Sequence, residues 1–590
     1  MRKILYFSIT LFLIPMCISF AQGVMDYVSQ VKGDTLVVKD YVDMGNQASS
    51  LTNVVTDDNQ NVPADRVYEL KTNGYYPLAA NLTTPTDRAV VIVGEDNTRL
   101  VNNKNASSAP PIICGSTIAG AATNTGAINF ANNLTVKNCS IIPGASDGTE
   151  GWAFFGSSAP HKTLVCENDL MEHTRWVFYQ SNDYDSCSFY FKDCYFVNMV
   201  GYACRRNGGV YDNVNHNTDT MYVENCTHVM AQGSMYKLRN YPVGRAFFNH
   251  NTFINCAGSV LETQGYNSNE IVTNNIFVNS NEQPYMPGLD PSETDPGNLP
   301  TGLIDVTPLL STMQQVPRKF LVEANVDYWD PKLTDLASEA NSMAINNNTS
   351  WVNQSIKMNS RTQSMFDDNA TYPYLTEGIW YDKLPNFTDS KDLLTSEVDS
   401  VKAWCIGTVD TVSTNILADW RLIYTNYPDD YIYSDWPIPV DLSYSDADLM
   451  TGGTDGLPVG DLNWFPDKKA IFVANMAQYH SDLENALQNG NTILAVKDLG
   501  GEPTTFQLSQ NYPNPFNPTT TISFSIPKAG NVTLKVYDVL GNEVATLVNG
   551  YKTAQTYKVE FDGSNLSNGI YFYTLRTNNF TQTRKMVLIK

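Results

Sequence analysis

Six stretches of the chain follow one template: LTVKNCSII from Leu134, LVCENDLM from Leu164, FYFKDCYFV from Phe189, MYVENCTHV from Met221, FFNHNTFIN from Phe247 and IVTNNIFVN from Ile271. Each opens on two or three strand-forming residues, passes through Asn or Asp, takes a mostly small residue and closes on apolar ones. The polar positions are Asn138, Asn168, Asp193, Asn225, Asn251 and Asn275, spaced 30, 25, 32, 26 and 24 residues apart. Units of this length cannot bury a core alone and must stack, which predicts a right-handed parallel β-helix. Stacking brings equivalent residues to about 4.8 Å of one another, the ordinary spacing of paired strands. An Asn at each corner then hydrogen-bonds the Asn above and below, answering backbone groups that the bend leaves unpaired. Cys139, Cys194 and Cys226 directly follow the polar position, Thr252 continues the series, and all read as small core residues stacked inward. A Cys194–Cys226 disulfide is the alternative that the same spacing allows. A β-sandwich with unrelated Asn residues is the competing fold, and six matched segments weigh against it.

Outward from these coils, RVYEL from Arg66 and AVVIVG from Ala89 are strand-like and resemble the opening coils of the pectate-lyase-like β-helix group. A Pro-, Gly- and Asp-rich loop at Gln283–Pro300 interrupts the stack, and Val322–Val326 reads as a late coil with Asn325 on the ladder. The β-helix is therefore expected over 22–330, with clear coils at 134–280. Leu333–Asn346, Ser396–Ile406 and Lys468–Leu487 look helical between long Asn/Ser/Tyr loops, which marks 331–498 as a flanking or cap region. A linker follows at Asp498–Thr505.

The last segment reads differently. From Phe506 it runs FQLSQNYPNPFNPTTTISFSIP, then VTLKVYDVLGNEVATLVNG, then YKVEFDGSNLSNGIYFYTLRTNNFTQTRKMVLIK. Ile522, Phe524 and Ile526 alternate with polar residues, as do Val532, Leu534 and Val536, the period of half-buried strands. Asn-Pro pairs and Leu540-Gly541-Asn542 are turn signals, so about seven short strands fit a small β-sandwich. From Thr505 onward the net charge is +4, which leaves −27 on the remainder of a chain at −23 overall. The Asn511–Pro518 turn block, the Tyr537–Gly541 hairpin, the Gly569–Tyr573 strand and the terminal Lys585–Lys590 strand closely resemble the type A C-terminal sorting domain of the type IX secretion system. That resemblance, covering 505–590, implies the type IX machinery as a partner and export through the periplasm, to be secreted or attached at the outer-membrane surface. It also implies that the segment is cut off or exchanged for a surface glycolipid.

The other end agrees. Arg2 and Lys3 precede the apolar run Ile4–Phe20, and Ser19-Phe20-Ala21 is a small-x-small cleavage site, so residues 1–21 read as a signal peptide with Gln22 as the new terminus. A lipoprotein reading through Cys17 is weaker, because Met16 stands where a small residue is wanted. No other stretch is long and apolar enough to span a bilayer.

Only 17% of residues are charged, and Tyr (33) outnumbers Phe (25), a composition of extended β architecture. The net charge of −23 and a pI near 4.6 disfavour nucleic acid and anionic membranes as partners. The ten cysteines show no CxxC, and no His-x-His suggests zinc. Familiar hydrolase, metalloprotease, phosphate-loop and EF-hand signatures are absent. Asp367-Asp368 and Asp429-Asp430 have the form of paired glycosidase acids, but among 61 acidic residues they read as solvated loop charges. Calcium is the one cofactor left open, since carboxylate ligands abound without forming a diagnostic loop.

One constellation stands out. Asp193 leads to Arg205 and Arg206 at +12 and +13, and Asn225 to Lys237 and Arg239 at +12 and +14. Gln180 lies at +12 from Asn168 and Gln264 at +13 from Asn251, with Arg175, Arg245, Tyr202, Tyr211, Tyr236 and Tyr241 nearby in sequence. Successive coils thus place long polar and basic side chains on one strip, where Arg pairs carboxylate or sulfate and Tyr stacks on sugar rings. The expected partner is an acidic extracellular polysaccharide. The strip loosely resembles that of β-helical polysaccharide lyases. The resemblance implies Lys237 as the base and Arg206 or Arg239 as acid or carboxylate clamp, while the strip itself offers Arg205, Gln180, Gln264 and Tyr236 as substrate contacts. Against it stands a non-catalytic surface, adhesion or structural solenoid in which these residues simply solvate the surface.

Overall fold

The computed structural model describes residues 23–494 and 506–590, except 48–49, 79, 97–108, 116–126, 144–152, 173, 175–176, 181–183, 200–208, 262–263, 285–296, 298, 343–350, 411–437, 509–510, 512–513, 529, 553–554 and 578–579. The signal peptide, Cys17, Arg175, Tyr202, Arg205, Arg206, the Asp429-Asp430 pair and the linker lie outside the described residues.

Residues up to Leu494 form one unit and those from Ala495 another. In the first, three sheets of 12, 10 and 6 strands run along a β-helix. A representative coil is Thr218–Glu224 in the first sheet, Thr227–Ala231 in the second and Tyr236–Lys237 in the third. Each strand pairs in parallel with its equivalent one coil away, apart from the opening hairpin Val28–Lys32/Thr35–Val38, which is antiparallel. Alternation decides the facing: along Cys187–Lys192, Cys187, Phe189 and Phe191 are buried while Ser188, Tyr190 and Lys192 are half-buried. Inside, Phe196, His228, Phe253 and Phe277 stack at ring separations of 4.6, 4.2 and 5.1 Å. Burial holds His228 well below the usual imidazole range, so it stacks as a neutral ring, Nε2 at 2.9 Å from the Tyr236 hydroxyl.

The corner between the first two sheets contains two polar columns, where the repeat pattern suggested one. Strand register aligns Asn138, Asn168, Asp193, Asn225, His250, Asn274 and Ala324, all left-handed with φ between 53° and 61°. Asn and Asp tolerate this conformation best among non-glycine residues. The next column holds Cys139, Asp169, Cys194, Cys226, Asn251, Asn275 and Asn325, all buried. Asn251 and Asn275 therefore belong one place further on than expected, and Asn251, not Thr252, continues the cysteine column. This second column is the hydrogen-bonded ladder. Asn275 Oδ1 accepts from Asn251 N and Nδ2, each at 3.0 Å. Asn325 Oδ1 does the same for Asn275, and each amide nitrogen also donates to a carbonyl of the preceding coil.

Eight cysteines among the described residues are buried and form no disulfide, including Cys194 and Cys226, whose relation is a stacked one, with Cys194 N donating to Cys226 Sγ at 3.4 Å. Burial pushes the Cys114 thiol up to about 12 and those of Cys139, Cys166 and Cys194 well above their ordinary range. Thiolates are the reactive form, so these thiols should survive export unoxidised. A maleimide is expected to label none of the eight in the folded protein and all of them in denaturant; rapid native labelling of Cys194 or Cys226 would contradict the stack.

Helix α1 (Ser50–Asp57) buries Leu51, Val54 and Val55 beside the first coils. The stack continues beyond residue 330, to Leu375–Glu377 in the first sheet and Trp380–Tyr381 in the second. Long insertions separate these last coils, which hides their period. Helices α4 (Ser396–Asp410) and α5 (Pro466–Asn489) contain two of the segments expected to be helical, α2 (Leu336–Ser342) covers the middle of the third, and α3 (Ser360–Asp367) adds one that was not expected. Leu336, Val398, Val401, Trp404 and Trp464 pack on the outer face of the second sheet against Val229, Ile254 and Val278. Leu483, Ala486 and Leu487 of α5 cover Tyr222, Phe247, Ile271 and Leu321 on the outer face of the first.

The second unit has antiparallel sheets of three and four strands. Ile522, Phe524, Leu534, Val536, Tyr573 and Leu575 point into one core, as their alternation requires. Asp538 closes the Tyr537–Glu543 hairpin by accepting from Leu540 N and Asn542 N, and Gly541 supplies the positive φ of 85°.

Candidate functional site

In the third sheet, Val177–Gln180, Tyr211–Asp212 and Tyr236–Lys237 pair in parallel, which places Gln180 opposite Asp212 and Asp212 opposite Lys237. The two-residue strands alternate like the longer ones. Tyr211 and Tyr236 enter the core, Tyr236 lying against Phe248 and bonded to His228, so its ring has no face to offer a sugar. Asp212 and Lys237 take the opposite side of the same strands and are nevertheless buried. Arg239, also buried, reaches back one coil to Asp212: Nε donates to Oδ1 and Nη2 to Oδ2, both at 2.9 Å. Asn213 accepts from Arg239 N and donates to Tyr241 O, and Gln264 Oε1 accepts from Asn240 N at 2.6 Å, so neighbouring coils fix the loop carrying Arg239.

Lys237 and the backbone of Gln180 thus share the third sheet, with Arg239 just beyond it and Gln264 on the following coil, bonded to Asn240. Asp212 completes the group and was not anticipated, because a two-residue strand carries no readable period. Arg245 lies elsewhere, on the first sheet, paired with Glu484 of α5. Asp367-Asp368 sits at the end of α3.

A second polar cluster lies where α5 crosses the first sheet. Glu224 Oε1 faces His480 Nε2 at 2.8 Å and accepts from Asn249 Nδ2 at 2.9 Å, while Oε2 accepts from the Tyr222 hydroxyl at 2.6 Å. Burial alone would raise Glu224, but His480, Tyr222 and Asn249 hold it below the ordinary range. His250 Nε2 faces Asp455 Oδ2 at 2.8 Å, and its Nδ1 donates to Gly460 O at 3.2 Å. Asn249, Asn274, Thr454, Asp455, Tyr479 and Asp482 line a narrow cleft there. Glu224 and His480 are 256 residues apart and His250 and Asp455 205, so no local signal could have found these pairs. Among the described residues, no group of His, Cys, Asp or Glu could hold a metal ion.

Glu323 marks the end of this unit. Its oxygens accept from Ile493 N at 2.8 Å and Leu494 N at 2.9 Å, yet burial raises it to about 7. A carboxyl raised on folding keeps its proton after the unfolded chain has lost it. Stability from Glu323 therefore falls as pH rises from its ordinary 4.5 to about 7. Glu323→Gln should flatten the decline of melting temperature across that window; an unchanged slope would remove Glu323 as its source.

Residues 510–590 match the family model described as the secretion system C-terminal sorting domain. No curated protein matches the chain. Among solved structures, the chain is similar to dimeric latent PorU from Porphyromonas gingivalis, at 22% identity and a TM-score of 0.13, over 14% of this chain and 9% of that one. The chain therefore spans less than a tenth of that protein's length. No helix among the described residues is long and apolar enough to cross a membrane. The C-terminal segment is a type IX secretion sorting domain, and it sends the β-helix through the periplasm to the cell surface or beyond.

Proposed function

We propose that this exported β-helix binds an acidic extracellular polysaccharide along the third-sheet strip of Gln180, Asp212, Lys237 and Arg239. In this reading 22–330 is the binding body, 331–498 its flanking cap and 505–590 the export label. One observation carries it: Lys237, Asp212 and Arg239 are buried on the side of a sheet that faces away from the core. Buried ions seldom repay their desolvation in stability, so a scaffold alone gives little reason to keep three of them together. Lys237 and Arg239 are the cations that a sugar carboxylate or sulfate would pair with on displacing the contacts that now bury them.

The same geometry favours binding over cleavage. Arg239 spends its Nε–Nη2 edge on Asp212, the edge a lyase would use to clamp the substrate carboxylate. A glycan screen with the purified protein tests the reading. Lys237→Ala is expected to lose at least tenfold in affinity for the bound acidic glycan while retaining the wild-type circular dichroism spectrum. Unsaturated, ultraviolet-absorbing product from the wild type would assign Lys237 as a lyase base instead. Absence of any acidic glycan ligand would leave the solenoid as a structural rod.

A further inference from the structure

Helix α5 is oriented unusually at its first turns. Lys469 is buried on its inner side, while Ile471, Val473 and Met476 stand exposed on the outer side. The Lys469 ammonium contacts Asp193 Oδ1, and the two residues are 276 apart in sequence. Asp193 occupies a left-handed corner of the β-helix, with φ of 57°, and Asn463 Nδ2 donates to the same oxygen at 3.2 Å. Amine and carboxyl thus meet where the first turn of α5 reaches the β-helix corner. With the amine buried, such an ion pair adds little net stability, because desolvation of Lys469 offsets the attraction.

A third group completes the site. Asp461 is fully buried two residues before Asn463, which it holds by accepting from Asn463 N at 2.8 Å; its other oxygen accepts from Thr227 Oγ1 at 2.7 Å. Burial raises it to about 7, with Lys469 and Asp193 both close enough to act on it electrostatically. A carboxyl that gains and loses a proton near neutral pH is suited to proton transfer. Asn463 bonds both acids, Asp461 through its backbone N–H and Asp193 through its side-chain amide, and so holds them at one place beside Lys469.

We propose that Lys469 Nζ and Asp193 Cγ condense into an intramolecular amide, with Asp461 moving the protons, which staples α5 covalently to the β-helix corner. Proton transfer within the ion pair gives a neutral amine and a carboxylic acid. The amine lone pair attacks Cγ, the C–N bond forms, and the C–O bond of the protonated hydroxyl breaks to release water. Ammonium and carboxylate are consumed, one amide and one water are made, and no oxidant or reductant is required. Fixed proximity replaces the entropy cost that makes such condensation unfavourable between free molecules. The partial exposure of the Asp193 side chain gives the water a way out.

Peptide mapping of the purified full chain tests this directly. Trypsin should leave Lys469 uncut and yield a branched peptide that joins the segments containing Asp193 and Lys469, lighter by one water than their sum. Lys469→Arg keeps the positive charge but cannot form the bond, and should return only linear peptides and a lower melting temperature. Asp461→Asn should slow cross-linking at least tenfold in newly refolded protein; an unchanged rate would overturn the role of Asp461. Quantitative cleavage after Lys469 in the wild type, with linear peptides only, would overturn the cross-link.

Discussion

Asn275→Leu should cost on the order of 4 kcal/mol of stability, the largest effect expected of any single substitution at the sheet corner. The side chain makes four hydrogen bonds at 3.0 Å: it accepts from Asn251 N and Nδ2 and donates to Phe248 O and Asn325 Oδ1. Leucine fills the same volume but answers none of them. Each buried polar group left unpaired costs about 1–3 kcal/mol, and the interior admits no compensating rearrangement between two fixed coils. Asn225→Leu, at the neighbouring column, should cost only about 1–2 kcal/mol, the penalty for a branched residue at a left-handed φ of 54°. Asn225→Gly should be nearly neutral, since glycine adopts that conformation freely. Chemical denaturation of the three variants checks the order. Equal losses at 225 and 275 would mean that the two columns are not distinct.

Deleting Phe506–Lys590 should abolish surface display. The remaining unit holds its own cores, with residues up to Leu494 forming one compact body, so truncation should not unfold it. The expected product is a folded protein caught in the periplasm, resistant to protease added outside intact cells and sensitive after the outer membrane is opened. Display equal to that of the full chain would contradict the sorting assignment.

The coils were readable because inward alternation and a polar corner recur at a near-constant interval in Leu134–Asn279. The register of the corner was not. Asn occurs in both columns, as left-handed residue at Asn138, Asn168 and Asn225 and as ladder residue at Asn251, Asn275 and Asn325, so a pattern search merges them. Cysteine fills the ladder column in the coils at 139, 194 and 226, where a small buried side chain suffices. Coils at Lys319–Glu323 and Leu375–Glu377 escape periodicity because insertions of variable length precede them.

The candidate strip was readable only as far as its offsets. Counting from the corner set Gln180 and Lys237 at the same offset, but on the coil between them the position belongs to Asp212, nineteen residues past Asp193, because the turn there is longer. Counting could not show that Tyr236 turns inward, nor that Asp212 waits opposite Lys237. The polar seam under α5 was beyond reach, since His480, Asp455 and Lys469 meet residues on coils far earlier in the chain.

The most direct measurement of the central claim is equilibrium binding of the intact protein to an acidic polysaccharide and to the same polymer with its carboxyl groups chemically reduced. Saturable binding to the first, weakened at least tenfold for the second and lost in Lys237→Ala, is the predicted result. Equal affinity for both polymers, unaffected by Lys237→Ala, would contradict a charged glycan site on the third sheet.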